Sequence, residues 1–119
     1  MDVVMPSNEE NSLAQTLQLV RRKFIDSLFD RILFFETVTV EYAQTGDHEK
    51  ALRDISWAAH KITGIAGTLG FEDIGEQARH IEQVIGLGVK APNPDTMRSV
   101  APILETFLDN LEVILDSTD

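Results

Sequence analysis

The sequence predicts an all-α fold, an antiparallel up-down four-helix bundle with an additional short N-terminal helix. Three observations predict it. Apolar residues recur at three- and four-residue steps along most of the 119 residues. Glycine and proline cut the chain into helix-length pieces. No strand-and-turn rhythm and no internal repeat appears.

Pro6-Ser7-Asn8-Glu9-Glu10 holds a capping-box pattern, Ser7 with Glu10 three residues on. From there to Gln44 the chain has no glycine or proline. Leu13, Leu17, Val20, Phe24, Leu28, Ile32, Phe35 and Val38 mark one apolar face at helical spacing. This run is long for one globular helix, so a break is expected near Arg21-Arg22. Thr37-Val38-Thr39-Val40 is β-branched but too isolated to make a sheet, and it reads as helix. Gly46 closes that segment and Asp47 caps the next.

The next helix carries Leu52, Ile55, Ala59, Ile62, Ala66 and Leu69 as its apolar stripe, and Gly70 stops it. Glu72 and Asp73 then sit in a first turn, where acids suit the helix dipole. Phe71, Ile74, Ala78, Ile81 and Ile85 supply the buried face, with Gly86 as the expected end. After a glycine- and proline-bearing loop, Asn93 caps a last helix with Pro94 at its first position. Met97, Val100, Leu104, Phe107, Leu111 and Ile114 give its face, and Pro102 either kinks it or marks its true start.

Length and composition narrow the function classes. The 119 residues make one domain with a sizeable core. Zero cysteines exclude a disulfide scaffold, a thiolate zinc site and a cysteine nucleophile. No cationic leader precedes an apolar segment and no run is long enough to span a bilayer, so the expectation is a soluble, cytoplasmic protein. A net charge of −10 argues against nucleic acid and against an anionic membrane surface. Protein partners remain, for a chain expected to be a monomer.

The most informative stretch runs from Ala59 to Phe71. His60, Gly64 and Gly67 fall at i, i+4 and i+7, on one helical stripe that lies off the apolar one. A glycine inside a helix costs about 1 kcal/mol relative to alanine. Two of them beside a histidine give up roughly 2 kcal/mol, and what they provide is a bare backbone that another surface can approach closely. The pattern reads as an exposed reactive histidine presented to a docking partner. The alternative is that the glycines let two helices of one bundle pack tightly, although they avoid the apolar stripe.

This segment resembles the histidine-containing phosphotransfer (HPt) family of multistep phosphorelays. The family signature is a histidine, a lysine three residues on, a glycine four on, small residues, and a glycine ten on. His60, Gly64, Ala66 and Gly70 match it, Gly67 and Leu69 suit it, and the similarity covers Leu17 to Leu115. Two positions depart: Thr63 stands where the family has lysine, and Ile65 where it has a small residue. Lys61 sits one residue after the histidine instead; its long stem can swing an ammonium toward a phosphoryl group, and the Thr63 hydroxyl can donate a neutral hydrogen bond.

The resemblance implies a phosphocarrier rather than a kinase. His60 would accept a phosphoryl group from a receiver-domain aspartate and pass it to another receiver. The chain needs no cofactor of its own for this, because Mg²⁺ is expected on the partner receiver. No glycine-rich nucleotide loop accompanies the histidine. Counting equally from the turn at Gly70-Phe71 brings Glu82 roughly opposite His60, where it either orients a ring nitrogen or is a solvated charge.

Trp57, one turn before His60, is either a docking anchor or a cap on the core. His80 reads as an exposed surface histidine and His48 as a first-turn residue without a role. No metal site is expected, since Glu76 and His80 are a lone pair rather than a Glu-x-x-His repeat on two helices. Two other functions compete: an inert adaptor that binds receivers without phosphotransfer, favoured by Thr63, and a dimerising phosphoacceptor module of a histidine kinase.

Overall fold

The computed structural model describes residues 8–87 and 93–117. Among them every regular element is a helix: α1 (Asn8–Asp26), α2 (Leu28–Thr45), α3 (His48–Ala66), α4 (Glu72–Leu87) and α5 (Pro94–Ser117). The β-branched run at 37–40 is helical. Thr37 and Thr39 turn their hydroxyls back onto the carbonyls of Leu33 and Phe35, at 2.7 and 3.0 Å. The capping box at Ser7 and Glu10 lies outside what can be described.

The joint in the long first segment falls at Ser27, not at Arg21-Arg22. Ser27 keeps a helical backbone (φ −82°, ψ −11°). Its N–H reaches the carbonyls of Lys23 and Phe24 at 3.0 and 3.1 Å, and its Oγ donates to Phe24 O at 2.6 Å. The hydroxyl thus takes over a carbonyl of the ladder and tightens one turn. Arg21 is instead committed to the turn after α3, where Nη1 donates to Leu69 O at 2.6 Å and the guanidinium lies 4.2 Å from the Phe71 ring centroid.

The N-terminal helix is not short, since α1 spans 19 residues. Its apolar stripe also behaves differently at its two ends. Phe24 is buried, but Leu13 and Leu17 are 61% and 42% exposed. The core helices α3 and α4 turn over at residues 67–71, where Arg21 touches them, and residues further back along α1 find little to pack against.

Helices α2 and α3 run in opposite directions. Near the ends of α2 and α3, Lys50 Nζ meets Glu41 Oε1 at 2.9 Å, while further along Phe34 meets Trp57 at 6.0 Å between ring centroids. The core between α2 and α5 holds Phe35 and Phe107, both fully buried and edge-to-face at 5.9 Å. Leu28, Ile55, Ile62, Ile81, Val100 and Leu111 fill the space around them.

The predicted caps place the site. Gly46 adopts φ +69° after α2, and Asp47 accepts from the Lys50 backbone N–H at 3.1 Å, starting α3. At the far end Phe71 N–H bonds to Ala66 O (2.9 Å) and Gly70 N–H to Gly67 O (3.2 Å), with Gly70 at φ +88°. That pair of bonds is a Schellman closure with Gly70 as the left-handed residue. It folds α4 back along α3.

One boundary differs from expectation, at Gly86, and the start of the last helix agrees with it. Gly86 does not end α4, which runs to Leu87; Gly86 is not among the positive-φ glycines, so it serves as an ordinary helical residue. Pro102 lies inside α5, which starts at Pro94, with Asn93 Oδ1 accepting from the N–H groups of Asp95 and Thr96 at 2.9 and 3.2 Å. No described helix is long and apolar enough to cross a membrane.

Candidate functional site

The apolar stripe of α3 turns Ala59, Ile62 and Ala66 into the core, and this rotation carries His60 outward. Its side chain is 77% exposed. The fold-back at Gly70 sets Glu82 of α4 beside it, with Oε1 2.7 Å from His60 Nδ1. The other carboxylate oxygen, Oε2, accepts from Thr63 Oγ1 at 2.7 Å. Glu82 is only 21% exposed and therefore less able to satisfy its lone pairs with water than a surface carboxylate. It spans two partners one helical turn apart on α3 and leaves Nε2 as the ring nitrogen within reach of a second protein.

Gly64 and Gly67 face open space. A Cβ at either position would meet nothing within 4 Å, and both residues are exposed. Gly67 is at the end of α3 rather than inside it, with helical φ −61° and ψ −41°. The close helix–helix approach that glycine permits is elsewhere, at Gly75 on α4. A Cβ there would lie 3.4 Å from Gly67 N and 3.7 Å from Ala66 Cβ. Sequence reasoning missed Gly75, although its place one turn into α4 opposite the end of α3 was a signal for it.

Lys61 is not beside the imidazole. Its ammonium lies 3.6 Å from the centroid of the Trp57 ring, one helical turn back. Trp57 is 56% exposed and rests on Phe34 of α2, so it is neither a core residue nor detached from the bundle. Below this stack a hollow of about 260 Å³ is bordered by Ser27 and by Arg31 and Phe34 of α2. Burial there lowers the pKa of the Arg31 guanidinium, whose Nε donates to Ser27 Oγ at 2.8 Å.

On its other side His60 joins a shallow groove of about 480 Å³ between α3 and α4, bordered by Arg53, Ser56, Trp57, Glu82 and Ile85. Arg53 and Ser56 went unnoticed in the sequence. They stand seven and four residues before His60, the same stripe rule that singled out the glycines. Another hollow, about 1020 Å³ between α4 and α5, contains His80 and none of the residues around His60.

His60, the glycine four residues on and the left-handed glycine ten residues on stand at the spacing of the HPt signature. The Hpt domain family model matches residues 13–116. The chain belongs to the Hpt domain family. No curated protein and no solved structure matches it. Hpt domains serve phosphotransfer in phosphorelays as phosphocarriers, working with receiver domains and kinases. The match takes in all of α2 to α4 and most of α1 and α5.

Proposed function

We propose that this Hpt domain is a cytoplasmic phosphorelay intermediate whose phosphoacceptor is His60. Neutral His60 attacks the phosphorus of an aspartyl phosphate on a receiver domain through Nε2. An Nε2–P bond forms, the acyl-phosphate P–O bond breaks, and its electron pair stays with the aspartate as carboxylate. The imidazole ring becomes positive as the bond forms, and Nδ1–H donates to Glu82 throughout, so that charge meets a fixed carboxylate 2.7 Å away. A second receiver then takes the group by the reverse chemistry. Mg²⁺ on the receiver balances the phosphoryl oxygens.

The observation that carries this reading is the engagement of Nδ1 on a side chain otherwise open to solvent. Gly64 and Gly67 keep side chains out of the receiver's path, and Trp57 with Lys61 forms the neighbouring rim. A panel of phosphorylated receivers, with phosphohistidine detection, tests it. The parent, His48→Gln and His80→Gln should label, and His60→Gln should fold and stay unlabelled. Label on the His60 variant sinks the assignment.

One observation favours a second reading, an adaptor that binds receivers without transfer. Thr63 replaces the family's lysine, its hydroxyl is already bonded to Glu82, and Lys61 rests on Trp57. Receiver binding with no label on the parent chain supports that reading instead.

A further inference from the structure

Thr63 is the family's missing lysine, and its hydroxyl has two acceptors within reach. Ala59 O lies at 3.1 Å and Glu82 Oε2 at 2.7 Å. A threonine in a helix ordinarily returns its proton to the carbonyl four residues back. Here the shorter contact is to an ionised acceptor, and a charge-assisted bond outcompetes a neutral one. Thr63 has one proton to give, and Glu82 takes it.

We propose that Thr63 is a positioning residue that acts on His60 through Glu82. A carboxylate with one oxygen bonded to Thr63 cannot swing about its terminal bond, so the other oxygen stays in line with Nδ1. That oxygen accepts only if Nδ1 carries the proton, which fixes the tautomer with its lone pair on Nε2. A histidine without a partner prefers the opposite tautomer, with the proton on Nε2. Glu82 must therefore reverse an intrinsic preference on a side chain that is 77% exposed, and a carboxylate free to rotate does this less completely. Thr63 thus replaces a lysine that would face the phosphoryl group with a hydroxyl that faces the carboxylate, and the chain's own contribution shifts from charge on phosphate to orientation of the nucleophile.

The inference rests on His60 as the phosphoacceptor for its meaning but not for its test. Neutral ¹⁵N-labelled protein, without any receiver, reports the His60 tautomer directly through long-range ¹H–¹⁵N couplings at about pH 8.5, well above an ordinary histidine pKa. The parent should show predominantly the Nδ1–H form. Thr63→Val keeps the shape and loses the proton; it should move the population toward Nε2–H, and Thr63→Ser should restore it. Thr63→Ala serves the same purpose if the valine variant fails to fold. Glu82→Ala should give the Nε2–H form by itself, and adding Thr63→Val to it should change nothing further, because the hydroxyl acts only through the carboxylate.

With a cognate receiver, Thr63→Val should slow phosphoryl uptake by roughly tenfold, the scale of one charge-assisted hydrogen bond, and the loss should vanish in the Glu82→Ala background. A parent tautomer population retained in both Thr63→Val and Thr63→Ala overturns the proposal. So does a Thr63→Val effect on tautomer or rate that persists undiminished without Glu82. If no receiver labels His60 while the tautomer shifts as described, the positioning role stands and the phosphoacceptor reading falls.

Discussion

Replacing Gly64 separates a docking surface from a packing contact, because the two ideas predict opposite signs of stability change. Gly64 lies in the last turn of α3 with ordinary negative φ, and a Cβ built on it meets no atom within 4 Å. Alanine therefore gains helix propensity without a steric cost, up to about 1 kcal/mol. For a chain of this size that corresponds to a melting temperature roughly 3–6 °C higher. Leucine, also a good helix former, should be nearly as stable. Both side chains grow into the space one turn from His60, so phosphoryl uptake from a receiver should fall in the order Gly, Ala, Leu. The leucine variant should lose at least about 1.4 kcal/mol of productive docking, a factor of ten. Thermal melts followed by circular dichroism, and uptake rates on the same samples, give both quantities. Had Gly64 been a packing glycine, leucine would overpack the bundle at a cost of about 1–3 kcal/mol. A Gly64→Ala protein less stable than the parent but labelled at the parent rate would refute the reasoning.

Two further outcomes concern what holds the scaffold. Phe107→Ala empties the edge-to-face partner of Phe35 in a fully buried position and should cost about 3–5 kcal/mol in urea unfolding, against little change for Val113→Ala on the exposed face of α5. Lys50 has its pKa raised above the ordinary 10.5 by the hydrogen bonds its ammonium donates, to Glu41 first and then to Asp54. A raised lysine contributes stability that is fully present below its unfolded value and disappears as pH climbs through the folded one. Relative to Lys50→Met, the parent should therefore lose its advantage above about pH 10.5, and salt should shrink that advantage at neutral pH.

Much of this protein was determined locally. The 3.6-residue recurrence of apolar residues fixed which faces are buried, and Gly46, Asp47, Gly70 and Asn93 marked helix ends because left-handed φ and side-chain capping are properties of a few adjacent residues. The His60–Gly64–Gly67 stripe was legible for the same reason, since spacing alone puts three residues on one face. The joint at Ser27 was not, because it depends on a hydroxyl choosing a carbonyl of its own helix over water. Leu13 and Leu17 follow the periodicity of a buried face, yet whether such a face is covered depends on where other helices stop. The partners of the site residues were likewise decided in three dimensions. Counting from the turn brought Glu82 near His60, but only the packing of α4 on α3 set which oxygen meets Nδ1, gave the other to Thr63, and left Lys61 on Trp57. Sequence spacing specifies direction within one helix; distances between atoms on two helices follow from how closely their backbones approach, which here turns on Gly75 against Gly67.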